Sequence, residues 1–124
     1  MVVNKSPILF DTNIALYYLG GRLIDPLPAG IYYISIISEM ELLSYPHLNE
    51  NEEKQIQSFL SQLLIINIDR SVKKAAIVLR KQYTLKLPDA IIAATAQSLQ
   101  ATLLTNDRQL LNIESLITQS MSIQ

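Results

Sequence analysis

The sequence has no cysteine and one histidine in 124 residues. Without thiols it can form neither a disulfide framework nor a thiolate metal site. His47 follows Tyr45 and Pro46 in a predicted loop, cannot make a histidine metal cluster alone, and reads as a surface residue. Long apolar runs are missing as well. No stretch reaches the roughly 20 residues of a membrane span, and Met1 to Ser6 contains one lysine and no apolar segment of signal-peptide length. Nor is there an excess of positive charge: ten basic and eleven acidic residues leave a net charge of −1. A protein that grips nucleic acid by broad phosphate neutralisation is usually basic. Contact with RNA or DNA would therefore be local, or a metal ion would supply the positive charge. These absences describe a soluble, cytoplasmic chain with no membrane association.

The composition is that of a globular protein, with 49% hydrophobic and 17% charged residues, and the length suits one domain over residues 1–124. Short β-branched or apolar runs at 8–10, 31–37, 64–68 and 101–105 read as strands, with a further edge strand at 115–118. Between them lie helical patterns at 13–19 and 39–45. Another begins at an Asn49 or Asn51 cap, one at an Asp69 or Ser71 cap runs through Tyr83, and the last long one covers 89–99 with Pro88 in its first turn. Asn106 and Asp107 open a short helix through Leu111, and the tail beyond the edge strand is expected to fray. Strands separated throughout by helices predict an α/β fold: a three-layer α/β/α sandwich around a central parallel sheet.

The acidic residues divide by context. Asp25, Glu50, Glu52, Glu53, Asp69 and Glu114 lie in polar surroundings or at helix starts, where solvation or capping accounts for them. Asp11, Asp89 and Asp107 each abut an apolar segment. Asp11 follows Ile8-Leu9-Phe10, Asp107 follows Leu103-Leu104-Thr105-Asn106, and Asp89 opens a helix that is small and apolar nearly all round. In an open parallel sheet, ligands bind beyond the carboxyl ends of the strands, where Asp11 and Asp107 are predicted to emerge. Each could instead cap a helix, a contribution of about 0.3–1 kcal/mol. If the first and fourth strands are neighbours, the two carboxylates meet and repel unless a proton or cation joins them. A hard divalent ion such as Mg²⁺ or Mn²⁺ resolves that repulsion. Glu39 and Glu41 compete for a fourth place. They are two apart, so a helix cannot turn both to one face, and periodicity does not choose between them.

Four blocks in order make the chain resemble the PIN-domain family, and within it the VapC-like toxins of bacterial and archaeal toxin–antitoxin pairs. They are Leu9-Phe10-Asp11-Thr12-Asn13; Ser35 through Leu43, in which a serine stands six residues before a glutamate followed by leucine; Leu87-Pro88-Asp89 through Ala96; and Leu103-Leu104-Thr105-Asn106-Asp107. The register of the second block selects Glu41.

The resemblance implies a metal-dependent endoribonuclease with a PIN-like fold. Asp11, Glu41, Asp89 and Asp107 would form the acidic site, the three aspartates holding Mg²⁺ or Mn²⁺ directly or through water and Glu41 positioning the ion or the attacking water. Asn13 and Thr105 would support that site. RNA would be the substrate, a cognate antitoxin protein the partner, and a homodimer the assembly. Leu110 replaces an aromatic that the family often has three residues past its last aspartate, a change expected to touch packing. Few basic residues join the first helix to the second strand. Arg80, Lys81, Lys86 and Arg108 could steer an RNA backbone, although solvation explains each singly.

Two other functions match the residues less well. A receiver domain of two-component signalling is also a small acidic α/β fold, but it needs paired acids after its first strand and a late lysine, and here the last lysine is Lys86. A PIN-like interaction module without catalysis would be marked by loss of a site carboxylate, and none is lost.

Overall fold

The computed structural model describes residues 5–124; residues 1–4, part of the Met1 to Ser6 stretch, lie outside them. The chain runs β1 (Pro7–Phe10), α1 (Thr12–Leu19), β2 (Ile31–Ser35), α2 (Ile36–Leu43), α3 (Glu50–Leu60), β3 (Leu64–Ile66), α4 (Arg70–Tyr83), α5 (Leu87–Leu99), β4 (Thr102–Leu104), α6 (Arg108–Leu111) and β5 (Ile117–Gln119). The five strands form one sheet in the order β3-β2-β1-β4-β5, and every pairing is parallel. This is the α/β/α sandwich that the alternation of elements predicts.

Parallel strands must be joined by crossovers, and right-handed crossovers put the helices on a face set by the direction of travel. The chain moves outward from β1 to β2 to β3 and then returns past β1 to β4 and β5. Ile8, Phe10, Ile34 and Leu104 accordingly pack with Ile14, Leu42, Ile56 and Phe59 from α1, α2 and α3. Leu9 and Leu103 turn to the other face and pack with Val72, Leu79, Ile92 and Leu110 from α4, α5 and α6. Fully burying side chains of this kind contributes roughly 1.5–3 kcal/mol each, so both layers hold the central strands firmly. The run Ala90 to Ala96 in α5 is buried throughout, because small side chains let this helix lie close to both the sheet and α4. Leu110, the residue in place of an aromatic, is fully buried beside Ile113 and Leu116.

Several boundaries differ from those predicted. The second strand stops at Ser35, which caps α2 through its side chain, so Ile36 and Ile37 are helical. The apolar run 64–68 supplies only three strand residues, and Asp69 then caps α4. Asn49 caps α3 in a reciprocal capping box with Glu52. The edge strand falls at Ile117–Gln119.

The tail does not fray. Met121 is buried, and the Asn106 side chain both donates to its carbonyl and accepts from its N–H, each at 2.8 Å. Beyond it Ile123 forms a bridge with Leu23, and Asp25 accepts from the Ser122 N–H at 2.8 Å. Long-range side-chain-to-backbone bonds of this kind leave no periodic trace in the sequence. Among the described residues, no helix is long and apolar enough to cross a membrane.

Candidate metal centre

β1 lies between β2 and β4, and the chain leaves β1 and β4 toward opposite edges of the sheet. Their carboxyl ends thus border the crevice at which such sheets bind ligands. Asp11 follows β1 directly, and its backbone N–H donates to the carbonyl of Leu104 at the end of β4, at 3.0 Å. The segment Thr105-Asn106-Asp107 therefore begins next to Asp11.

Asp11 is 5% exposed. It occupies the position before α1 but makes no side-chain cap to that helix. Its carboxylate instead accepts the hydroxyl proton of Thr105 on Oδ2 at 2.6 Å. Burial pushes its pKa up from 3.8 to about 6; the Thr105 hydroxyl and the Thr12 backbone N–H pull it down, and the nearby Asp89 and Asp107 charges push it up. Thr105 is fully buried and also accepts the N–H of Asp107 at 3.1 Å, so one hydroxyl joins two of the acids.

Asp89 stands in the first turn of α5, where the helix dipole favours an anion. Its pKa is nevertheless raised, first by burial and then by Asp107 and Glu41, with Lys86 opposing. Asp107 serves the short helix α6: its Oδ1 accepts the Gln109 N–H at 2.8 Å. Capping thus accounts for one oxygen of Asp107, while its charge is still felt at Asp11 and Asp89.

α2 contributes Glu41. Its Oε1 accepts the hydroxyl proton of Thr12 at 2.7 Å, and the same Thr12 oxygen lies 2.7 Å from the Ser38 hydroxyl. Asp11, Thr12, Asn13, Leu16, Glu41, Tyr45 and Asp89 line a cavity of about 110 Å³. Asn13 is exposed at its rim. Asp107 stands beside this cavity rather than in its wall, and Glu39 takes no part in lining it.

Sequence reasoning assigned no part to Thr12, Ser38 or Tyr45 at this site. Thr12 directly follows an acid in the first block, and Ser38 stands one helical turn before Glu41. Those positions were the available signals, but the contact between the two hydroxyls depends on the packing of α1 against α2.

The donor set consists of carboxylate, hydroxyl and amide oxygens, which suits a hard divalent cation. Among the described residues, no three histidine, cysteine or acidic side chains already form a group that could hold one ion. Mg²⁺, however, keeps several waters and takes only one or two protein carboxylates directly. The repulsion from neighbouring acids felt at Asp11 and at Asp89 is the condition that a bound cation relieves, so the residues fit such an ion by charge and by chemistry. Size does not mark the site. A larger cavity of about 540 Å³ between α4 and α5, lined by Ile68, Ile77 and Leu87 with Lys73, Arg80 and Lys81, offers no carboxylate.

The sequence matches the family model of the PIN domain over residues 8–116. The fold is similar to that of a chain in a toxin–antitoxin complex from Klebsiella pneumoniae, with 35% identity and a TM-score of 0.75, covering 90% of this chain and 96% of that one. It is also similar to a chain of VapBC2 from Rickettsia felis bound to a DNA fragment from their promoter, with 24% identity and a TM-score of 0.79 over 94% of this chain and 99% of that one. A chain of VapBC-1 from nontypeable Haemophilus influenzae aligns at 21% identity with a TM-score of 0.75, covering 92% and 97%. These last two likenesses, below 25% identity, speak for the fold alone. Among curated protein sequences there is no significant match.

Proposed function

Since this chain belongs to the PIN-domain family, we propose that it is a single-domain, divalent-metal-dependent endoribonuclease, the toxin of a toxin–antitoxin pair acting in the cytoplasm. One observation carries this reading. Asp11 is 5% exposed, is excused from capping its helix, and is held among other carboxylates at the carboxyl ends of adjacent parallel strands. A buried acid whose neighbours are also acids weakens the fold unless something uses the charge.

A phosphodiester is anionic and would be repelled by these side chains alone. Bound Mg²⁺ or Mn²⁺ supplies the compensating charge and lowers the pKa of water at the site. Asp11, Asp89 and Asp107 would hold it. Thr105 donates to Asp11 and favours its ionised form against burial, and Asn13 offers an amide at the rim. Glu41 has Oε1 engaged by Thr12, which leaves Oε2 to take a proton from a water that attacks phosphorus as the P–O bond to the leaving ribose oxygen breaks.

The partner proposed is a cognate antitoxin. The similarity to a chain of the Klebsiella toxin–antitoxin complex at 35% identity supports it. A homodimer is the proposed assembly, supported by the exposed apolar side chains Ile68, Ile77, Val78 and Leu87 on and around α4, which a second copy would cover.

Cleavage of RNA in Mg²⁺ or Mn²⁺, with and without chelator, tests the function for wild type and Asp11→Asn. Metal-dependent cleavage by the wild type that is lost in Asp11→Asn is expected. Cleavage that survives chelation or the substitution overturns the reading. Absence of cleavage by metal-loaded wild type favours an interaction module.

A further inference from the structure

We infer that Ser38 and Thr12 form a directed hydroxyl relay that fixes the rotamer of Glu41, making both of them positioning residues for the acidic site. The inference rests on the nuclease reading for its catalytic consequence, but its structural content stands on the hydrogen bonds themselves.

The direction of the relay follows from proton counting. A hydroxyl has one proton to donate and two lone pairs to accept with. An ionised carboxylate can only accept. Thr12 lies 2.7 Å from Glu41 Oε1, so its single proton points to Glu41. The Ser38 oxygen is also 2.7 Å from Thr12 Oγ1, and with the Thr12 proton already committed, Ser38 must be the donor. Both protons therefore run the same way, from Ser38 to Thr12 to Glu41. Each donor in such a chain polarises the next and strengthens its bond.

The relay joins two helices that the sequence separates by 26 residues between Thr12 and Ser38. Thr12 is the first residue of α1, immediately after Asp11, and Ser38 and Glu41 are three apart on α2. Ser38 is fully buried and Thr12 is 8% exposed, so water cannot readily replace either hydroxyl. Glu41, by contrast, is only partly buried and has three side-chain torsions to fix. Without the Thr12 bond its carboxylate would be drawn outward, away from Asp11 and Asp89, by the repulsion already felt at Asp89. The bond holds Glu41 against that repulsion at the wall of the cavity. Because Thr12 is adjacent to Asp11 in the chain, the same bond also sets the spacing between an α1-end acid and an α2 acid.

Three variants test this: Thr12→Val, which keeps the shape and removes the hydroxyl; Thr12→Ser, which keeps the hydroxyl; and Ser38→Ala, which removes only the first donor. In metal-free protein, NMR couplings of the Glu41 side chain should report one rotamer in the wild type and in Thr12→Ser, and averaged rotamers in Thr12→Val. On RNA, Thr12→Val should lower kcat by roughly 10–100-fold, the usual cost of losing an outer hydrogen-bond partner at a metal site, with KM within about twofold of wild type. Thr12→Ser should restore most of that loss, and Ser38→Ala should fall between them. A single Glu41 rotamer in Thr12→Val, or unchanged kcat in Thr12→Val alongside an inactive Asp11→Asn, overturns the relay. If the wild type shows no metal-dependent cleavage, the proposed function fails, and the rotamer measurement still decides the relay. Should Thr12→Val not fold, Ser38→Ala against Thr12→Ser gives the same comparison.

Discussion

Thr105 donates its hydroxyl proton to Asp11 Oδ2 at 2.6 Å across 94 residues of sequence. The bond ties the end of β4 to the end of β1 and is the main favourable contact of a carboxylate that burial otherwise penalises. Removing the donor while leaving the buried charge forfeits a charge-assisted hydrogen bond, worth about 1.5–3 kcal/mol. Thr105→Val should therefore lower stability at pH 7 by about that amount, and Thr105→Ser by much less. Urea denaturation of metal-free protein reads the difference.

Asp11 also makes the metal-free protein pH-sensitive. Its folded-state pKa of about 6 lies above the ordinary 3.8, so the folded state binds the proton more tightly than the unfolded state does. Its contribution is present in full below about pH 4 and is lost as pH rises through about 6. At pH 7 the cost is at most about 3 kcal/mol, from roughly two pKa steps at 1.36 kcal/mol each. Asp11→Asn should be more stable than wild type at pH 7 in chelator, by about 1–3 kcal/mol, and the gap should close toward pH 4. The difference between the two urea midpoints, followed from pH 4 to pH 7.5, isolates this group. A constant gap would show that Asp11 is not the source.

Divalent metal should reverse that ranking. An ion that binds only the folded state adds about 2.7 kcal/mol at one hundred times its dissociation constant. Mg²⁺ or Mn²⁺ should raise the Tm of wild type and leave that of Asp11→Asn nearly unchanged, and chelator should return wild type to its lower value. Equal shifts in both proteins in a thermal scan would place the ion elsewhere.

Glu41 and Glu39 are two residues apart on α2, yet Glu41 alone lines the acidic cavity. Glu41→Gln should cut RNA cleavage by roughly 10²–10⁴-fold, the range for loss of a general base. Glu39→Gln should stay within about threefold of wild type. Comparable losses in single-turnover assays of the two variants would overturn the assignment of Glu41.

Asn106 holds Met121 through two backbone hydrogen bonds of 2.8 Å, and the strap beyond it reaches Leu23 and Asp25. Asn106→Ala should cost about 1–3 kcal/mol, because it leaves backbone groups at a buried residue without partners. Hydrogen exchange should rise at residues 121–124 and at 22–25 together. Exchange confined to one of these segments would argue against a shared clamp.

The local rules of the chain are written plainly in its sequence. The alternation of apolar runs and helical patterns determined the number, kind and order of the elements, because a strand or helix must show its period wherever one side is buried. The same reasoning marked Asp11, Asp89 and Asp107 as acids at the ends of buried segments, and block spacing singled out Glu41 where periodicity left two glutamates open. The tertiary structure decided the rest. Sheet order, which no local pattern encodes, set β1 beside β4 and so brought Asp11 to Thr105. The packing of α1 on α2 joined Thr12 to Ser38, and a pair of amide bonds fastened a tail with no periodicity of its own. For Asp11, the sequence left helix capping and site chemistry both open. The fold decided against capping, because the side chain makes no cap bond to its helix and is held instead by a threonine that only the folded sheet could supply.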